Sequence, residues 1–136
     1  FCDEMWVFGT YVSSGMMNEI SLALEQNMKV KFIDAKYNTQ FSLNYELKKS
    51  FICPINDETV LIHYVGPTKP WHYWAGYPSA QPFIKAKEAS PWKNEPLMRP
   101  MNSNYARYCA KHNFKQNKPI NGIMNYIYYF YLKIIK

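Results

Sequence analysis

The chain has 136 residues, of which 48% are apolar and 18% aromatic. An apolar fraction of this size can bury a core, which excludes a chain that is disordered throughout. The three cysteines, Cys2, Cys53 and Cys109, are odd in number and form no CxxC pair. They support neither a disulfide framework nor a zinc ribbon, so a reducing compartment is the simpler expectation.

The sequence predicts neither a membrane-spanning helix nor a signal peptide. No uninterrupted apolar run reaches the ~18 residues that a spanning helix needs. Asp3 and Glu4 stand where a signal peptide would carry positive charge. Because residue 1 is Phe rather than Met, we expect the chain to be a fragment or a processed piece.

The positive charge is concentrated in the second half of the chain. Residues 1–84 carry six basic and eight acidic side chains, whereas residues 85–136 carry ten basic and two acidic ones. No acidic residue follows Glu95. A basic segment rich in aromatic residues suits an anionic partner, either a membrane surface, a nucleic acid or a phosphorylated glycolipid. A solvated basic face without a partner is the plain alternative.

In the first half, local patterns predict one helix and two strands. Residues 16–27 are predicted to form a helix that stops at Asn27. Residues 29–35 alternate polar and apolar side chains, which is typical of a strand with one buried face. Residues 59–65 are apolar and β-branched, which predicts a short buried strand.

In the second half, proline sets the local structure. Seven prolines lie between Gly66 and Pro100, and they exclude long helices from that segment. Residues 103–114 are predicted to form a helix with Ser103 as its N-cap. Residues 122–136 are predicted to form a terminal helix, although their Tyr and Ile content also suits a strand.

The densest group of chemically useful residues is the string HYVGPTKPWHYW, residues 63–74. A loop after a strand presents the His63 imidazole, an approachable backbone at Gly66 and the Lys69 ammonium group to the same ligand. Histidine is a common metal ligand, and lysine neutralises phosphate oxygens. From these residues alone, a structural histidine and a solvated surface lysine are the commoner outcomes.

Three strings of the sequence belong together: FIDAKYNTQFSLN (32–44), HYVGPTKPWHYW (63–74) and SPWKNEPL (90–97). In order and spacing they resemble the family 8 glycosyltransferases, and more narrowly the bacterial lipopolysaccharide core glucosyl- and galactosyltransferases. The resemblance covers residues 16–136. It implies an α/β fold, in which the end of a GT-A, Rossmann-like nucleotide-sugar domain (residues 1–75, with 1–15 atypical) precedes a mostly helical, basic and aromatic C-terminal extension (residues 76–136).

The resemblance also implies roles for the residues that match the family's motif. It implies that His63 is a metal ligand, with Mn²⁺ or Mg²⁺ as the cofactor. It implies that Gly66 and Lys69 contact the diphosphate of the donor, UDP-glucose or UDP-galactose. The implied reaction is the retaining transfer of a hexose from this UDP-sugar to a sugar of the lipopolysaccharide core.

The acceptor side and the location of the enzyme follow from the same resemblance. It implies that Tyr37, Asn38 and Phe41 lie near the acceptor side of the cleft. The expected location is cytoplasmic, with the basic aromatic tail holding the protein peripherally on the anionic surface of the inner membrane. No nucleic-acid partner is expected, because the sequence contains no RNP, KH or zinc-knuckle pattern.

The chain departs from the family's pattern in two respects. Its only aspartates are Asp3, Asp34 and Asp57, so it lacks the DxD element that supplies two further metal ligands in the family. Residues 1–15 do not resemble the family, and residues 13–15 stand where an acid-glutamine-acid element is expected. The alternative function is therefore a truncated, non-catalytic module that binds anionic membrane or glycolipid.

Three further kinds of residue could carry chemistry, and for most of them we expect a structural role instead. His72 and His112 match no family ligand, so we expect surface or capping positions for them. Cys109 is expected to be structural, because no His–carboxylate pair accompanies it. Three tryptophans either stack on a sugar ring or attach the proline-rich segment to the core: Trp71, Trp74 and Trp92.

Overall fold

The computed structural model describes residues 3–9 and 11–135, which contain four α-helices and four strands. These residues divide into two compact units. Unit one comprises the described residues up to Gln40 together with Pro54–His63, and unit two comprises Phe41–Cys53 together with the described residues from Tyr64 onward. The domain division after residue 75 that the sequence suggests stays a prediction.

Unit one begins with a strand, a helix and a second strand, β1 (Glu4–Phe8), α1 (Ser14–Glu25) and β2 (Lys29–Ile33). The two strands pair in parallel, with Glu4 opposite Lys29 and Phe8 opposite Ile33. The predicted helix and the predicted strand after it are confirmed, with α1 starting two residues earlier than expected. No sequence pattern described above predicts β1.

Local side-chain and backbone chemistry sets both ends of α1. The Ser13 hydroxyl accepts a hydrogen bond from the Met16 backbone N–H at 3.3 Å, as an N-cap residue does. The predicted stop at Asn27 is confirmed, because this residue takes a left-handed conformation with φ of 59°. The Met28 N–H then bonds back to the Ala23 carbonyl at 2.9 Å and closes the helix.

The other two strands are short: β3 is Thr39–Phe41 and β4 is Ile62–Tyr64. The expectation of a buried strand over residues 59–65 is wrong in both length and burial, since Val60 is 64% exposed and His63 is exposed. The backbone explains the shorter strand. The N–H groups of Val60 and Leu61 both bond to the Lys36 carbonyl, at 3.0 and 3.1 Å, instead of joining a ladder.

Unit two is mainly helical, with α2 (Gln81–Glu88), α3 (Ser103–Lys115) and α4 (Pro119–Ile134). The predicted helix over 103–114 is confirmed, but its N-cap is Asn102 rather than Ser103. The Asn102 side chain accepts a hydrogen bond from the Tyr105 N–H at 2.9 Å. The C-terminal segment is a helix, which decides between the two predicted alternatives. No helix in the described ranges is long and apolar enough to cross a membrane.

A tight turn joins α3 to α4. Asn117 takes the left-handed conformation with φ of 57°, and the Lys118 N–H bonds to the Asn113 carbonyl at 2.9 Å. Pro119 then stands in the first turn of α4, where its missing N–H costs nothing. The two helices approach closely at Gly122, where an added Cβ would lie 2.7 Å from the Phe114 ring.

The proline-rich segment is attached to the 63–74 motif by backbone hydrogen bonds within unit two. The Met98 N–H donates to the Trp71 carbonyl at 2.8 Å, and the Tyr73 N–H donates to the Met98 carbonyl at 3.1 Å. The buried apolar core of unit two includes residues from both of its sequence segments, Phe41–Cys53 and the part from Tyr64 onward. Its members are Phe41, Leu43, Trp74, Ala75, Tyr77, Ala80, Ala106, Cys109 and Ala110.

Candidate functional site

His63 lies on β4 in unit one, and its side chain is exposed. A metal site needs several ligands, and the sequence lacks the DxD element whose two aspartates are expected to bind the metal together with His63. Within the described part of the chain, no group of three or more His, Cys, Asp and Glu side chains is placed to hold a metal ion. The residues present therefore do not fit a complete site for Mn²⁺ or Mg²⁺.

Gly66 lies in unit two, in the loop that follows β4, and glycine is required there for two reasons. Its φ of +84° is in the left-handed region that other residues rarely adopt. A Cβ at this position would also lie 2.7 Å from the Ser42 Oγ and 3.7 Å from the Asn44 Nδ2. The backbone of the loop is thus packed directly on the segment from Ser42 to Asn44.

Lys69 is half-buried, and its ammonium group folds back over the same loop. The Nζ atom donates to the Tyr64 carbonyl and lies 6.0 Å from the centroid of the Trp71 ring. The backbone N–H of Lys69 donates to the His72 Nδ1 at 3.1 Å. A lysine ammonium carries three N–H donors, so two of them remain for a ligand after the contact with Tyr64.

A buried polar network of hydrogen bonds fixes the loop between Gly66 and Lys69. The fully buried Thr68 hydroxyl lies 3.1 Å from the Nε2 of the fully buried His112 on α3. The same Nε2 lies 3.1 Å from the Asn44 Oδ1, and the His112 Nδ1 lies 2.8 Å from the Tyr77 hydroxyl. Because Asn44 Oδ1 only accepts, the proton is on Nε2, and Nδ1 accepts from Tyr77. Both imidazole nitrogens are therefore satisfied by a neutral ring.

Burial keeps this histidine neutral over the physiological range. Desolvation first, and the charges of His72 and Lys111 after it, lower the pKa of His112 to about 4. Burial also raises the pKa of the Tyr77 hydroxyl, which favours its protonated, donating form. The network thus keeps one pattern of donors and acceptors and fixes the position of Thr68.

A second buried histidine is stacked within the motif itself. The His72 ring lies 4.2 Å from the Trp74 ring and 5.0 Å from the Tyr105 ring, centroid to centroid. Desolvation first, and the Lys69 charge second, lower the pKa of His72 to about 4. Its Nδ1 accepts from Lys69, so this ring is also neutral.

The expected surface or capping positions of His72 and His112 are therefore wrong, since their side chains are 1% and 0% exposed. The sequence contained no signal for this, because the contact partners of His112 lie 35 to 68 residues away. Of the three tryptophans, Trp74 is buried in the core, as the structural expectation required, and Trp92 is 67% exposed. Cys109 is buried beside the Tyr73 hydroxyl, in keeping with a structural role.

The three residues expected on the acceptor side have different surroundings. In unit one, Tyr37 is 45% exposed, and Asn38 lines a cavity of about 420 Å³ that also contains Asp34 and Glu58. In unit two, Phe41 is 1% exposed, and its ring lies about 6 Å from the rings of Tyr45 and Phe51. Their role at an acceptor stays a prediction.

Comparisons with known proteins identify the family. Residues 19–75 match the model described as Glycosyl transferase family 8, and residues 77–133 match the model described as Glycosyl transferase family 8 C-terminal. The chain belongs to glycosyl transferase family 8. Membership of family 8 implies a fold of the GT-A type, and the chain itself is mixed α/β. Residues 1–33 also match a domain of unknown function, DUF7768.

Curated relatives support the same family 8 assignment. The chain is 58% identical to lipopolysaccharide glucosyltransferase WaaO of Escherichia coli K12, over 78% of the chain and 32% of that protein. It is 53% identical to lipopolysaccharide 1,3-galactosyltransferase of Salmonella typhimurium LT2, over 79% of the chain and 32% of that protein. The chain thus spans about a third of the length of these relatives. No solved structure matches it.

These findings confirm the resemblance described from the sequence and give no support to the alternative of a non-catalytic membrane module. Sequence reasoning identified the loop with Gly66 and Lys69 through the motif. It did not predict the contacts of His112 with Thr68, Asn44 and Tyr77, because these three residues are far from His112 in the sequence.

Proposed function

We propose that the chain is the C-terminal part of a glycosyltransferase that transfers a hexose from a UDP-sugar to a sugar of the lipopolysaccharide core, with retention of the anomeric configuration. The observation that carries this proposal is the high identity to lipopolysaccharide glucosyl- and galactosyltransferases over more than three quarters of the chain. The donor is accordingly UDP-glucose or UDP-galactose. Residues 1–75 would then include the end of a Rossmann-like nucleotide-sugar domain.

Within this proposal, Gly66 and Lys69 bind the diphosphate of the donor. The absence of a side chain at Gly66 lets phosphate oxygens approach the backbone closely. The Lys69 ammonium group neutralises charge on the diphosphate, and its charge stabilises the leaving group as the bond to the sugar breaks. The buried hydrogen bonds of Thr68 support this assignment, because a loop fixed before binding loses little conformational entropy when the ligand arrives.

His63 is proposed as one ligand of Mn²⁺ or Mg²⁺. The family's enzymes are generally dependent on a divalent metal, but the described residues do not complete a metal site. The proposal therefore requires the other ligands to come from a longer protein, in keeping with relatives of which the matched segment covers only 32%.

The acceptor side is proposed to include Tyr37, Asn38 and Phe41. Tyr37 and Asn38 belong to a short 3-10 turn whose Asp34 carboxylate accepts from the Lys36 N–H at 2.9 Å. This turn holds polar side chains next to a cavity large enough for a sugar. Phe41 would act through packing, since its ring is buried.

The proposed location is the cytoplasmic surface of the inner membrane, to which the protein binds peripherally through α4. This helix exposes a large apolar and aromatic surface, and its basic residue Lys133 lies in the last turn. Such a surface suits the boundary between headgroups and acyl chains of an anionic bilayer. Sedimentation with vesicles that contain phosphatidylglycerol tests this location. Binding that is absent at low salt would contradict it.

The test of function is a chimera, because the chain covers only part of its relatives. Residues 19–133 replace the matching segment of WaaO, and the chimera is expressed in a strain that lacks WaaO. We expect the lipopolysaccharide to regain its full-length core on a gel. His63→Ala and Lys69→Gln should each reduce transfer at least about tenfold, because each removes a charged or metal-binding contact to the donor.

Lys85→Gln is the matched control, because Lys85 is exposed on α2 and has the same charge as Lys69. The control should leave transfer unchanged. Calorimetric titration of UDP-glucose and UDP-galactose into the chimera, with MnCl₂, MgCl₂ or EDTA, identifies donor and metal. An inactive chimera that is folded and fails to bind either UDP-sugar would sink the proposed function. Equal activity of the Lys69→Gln and Lys85→Gln variants would remove the diphosphate assignment.

A further inference from the structure

Unit two contains a cavity of about 750 Å³ that none of the roles described above uses. Its volume lies within the range of ordinary small-molecule sites. Residues from three places in the unit line it: the end of the 63–74 motif, the segment from Pro96 to Pro100, and the middle of α4. The lining residues are Tyr73, Pro96, Leu97, Arg99, Pro100, Asn125 and Tyr128.

The cavity contains one charged group, and it is positive. The exposed Arg99 takes part in no described ion pair, and no acidic residue lines the cavity. No acidic residue follows Glu95 in the sequence, so no carboxylate from α3 or α4 can neutralise this guanidinium group. A planar guanidinium group binds phosphate or carboxylate through paired hydrogen bonds. The ligand class that fits Arg99 is therefore anionic.

The other lining groups suit a sugar ring. Tyr73 and Tyr128 supply aromatic surface that can pack against the apolar face of a saccharide. Both hydrogens of the Asn125 amide are engaged, one by the Tyr73 hydroxyl at 3.2 Å and one by the Asn121 carbonyl at 2.8 Å. This leaves the Asn125 Oδ1 as an acceptor for a ligand hydroxyl.

The walls of the cavity are fixed in place before any ligand binds. The backbone of Tyr73 is bonded to Met98, and its hydroxyl lies 2.9 Å from the Cys109 Sγ on α3. Pro96 and Pro100 restrict the backbone on both sides of Arg99. A site that is already ordered loses little entropy when a small ligand enters.

We propose that this cavity is a binding site for a phosphorylated or otherwise acidic saccharide, in which Arg99 binds the anionic group and Tyr73, Asn125 and Tyr128 hold the sugar. Its place in the reaction rests on the proposed function: the cavity would be an acceptor subsite additional to the acceptor side proposed at Tyr37, Asn38 and Phe41. Tyr73, which lines the cavity, follows Lys69 in the same motif, and both residues lie in unit two.

The test measures binding of glucose 6-phosphate to the complete 136-residue chain by NMR titration at low salt. We expect shifts at Arg99, Asn125 and Tyr128, and weaker binding of both unmodified glucose and inorganic phosphate. Arg99→Gln should weaken glucose 6-phosphate binding about tenfold, the loss expected for a charged hydrogen bond. Lys85→Gln removes the same charge outside the cavity and should change the affinity less than about twofold. Both variants change exposed residues, so circular dichroism should show that both fold.

Each other outcome overturns the proposal in a defined way. Equal binding by the two variants, or no binding of glucose 6-phosphate, removes the site. If inorganic phosphate binds as tightly as glucose 6-phosphate, the cavity does not recognise the sugar, and that half of the proposal is refuted. If Arg99→Gln abolishes binding to phosphatidylglycerol vesicles but not to glucose 6-phosphate, the site belongs to a lipid headgroup instead. In the WaaO chimera, a fully active Arg99→Gln variant beside an inactive Lys69→Gln variant would refute an acceptor role while the proposed function stands.

Discussion

The two units differ in how much they bury. Among the described residues, the buried apolar core of unit one consists of Val7, Ile20 and Ala23, whereas unit two buries a large aromatic and aliphatic core. Parallel strands are normally covered on both faces, yet Phe32 of β2 is 63% exposed and Trp6 of β1 is 58% exposed. Unit two, in contrast, also buries two histidines, and both ring nitrogens of His112 have hydrogen-bond partners there. The comparison teaches that the stability of this chain resides mainly in unit two, around the motif that binds the donor in the proposed function.

The comparison is sharpest for a pair of aromatic truncations, one in each unit. Trp74→Ala removes a fully buried ring that stacks on His72, and it should lower the free energy of unfolding by about 3–5 kcal/mol. Phe32→Ala removes a ring that is mostly exposed and should change the free energy by no more than about 0.5 kcal/mol. Urea unfolding followed by far-UV circular dichroism measures both. Equal losses for the two variants would mean that unit one contributes as much as unit two.

The pH dependence of stability should come from the same buried histidines. Their pKa values of about 4 in the folded chain lie below the ordinary value of 6.5, so the unfolded chain binds more protons between these limits. Stability is therefore complete above about pH 6.5 and is lost as the pH falls toward 4. Between pH 7.5 and 5.0, each histidine should remove about 2 kcal/mol.

A pair of histidine variants separates the two units in this measurement. His112→Gln removes one of the two buried imidazoles and should reduce the pH dependence of the unfolding free energy by about half. His63→Gln makes the same substitution at an exposed position of unit one and is the matched control. Urea titrations at pH 7.5 and 5.0 are sufficient. A wild-type stability that is the same at both pH values would refute the buried neutral state of His72 and His112.

The elements that the sequence predicted well are those whose causes are local. Asn27 ends α1 and the prolines between Gly66 and Pro100 allow only a short helix, because both effects act within a few residues. The burial of His112 has no local cause, since it arises where α3 packs on a loop 44 residues earlier in the chain. Strand β1 was not predicted, although Trp6, Val7 and Phe8 are of types enriched in strands, and it is completed by pairing with β2.

The candidate site also combines features that the local sequence predicts with features that depend on long-range packing. The motif located Gly66 and Lys69, and the conformation of Gly66 explains why glycine stands there. The contacts that hold the loop in place join residues far apart in the sequence, so only the tertiary structure shows that Asn44 and Tyr77 meet His112. Local chemistry thus indicated which residues meet a ligand, while packing determines how rigidly they are held.

The smallest expected effect compares one glycine from each unit. Gly66 and Gly9 both have a positive φ, +84° and +91°, so an alanine at either position costs about 1–2 kcal/mol from backbone strain alone. Nothing lies within 4 Å of a Cβ at Gly9, whereas a Cβ at Gly66 meets the Ser42 Oγ at 2.7 Å. Gly66→Ala should therefore cost about 1 kcal/mol more than Gly9→Ala in urea unfolding.

A double-mutant cycle tests whether that excess comes from the contact with Ser42. Ser42→Ala removes the Oγ, and the next Ser42 atom, Cβ, would lie 3.8 Å from the new methyl group, which is an ordinary contact. In the Ser42→Ala background, Gly66→Ala should cost about as much as Gly9→Ala does in the wild-type chain. An excess that persists without the hydroxyl would mean that the loop resists the substitution through its own backbone. The close packing of the loop on Ser42 would then not be what holds Gly66 in place.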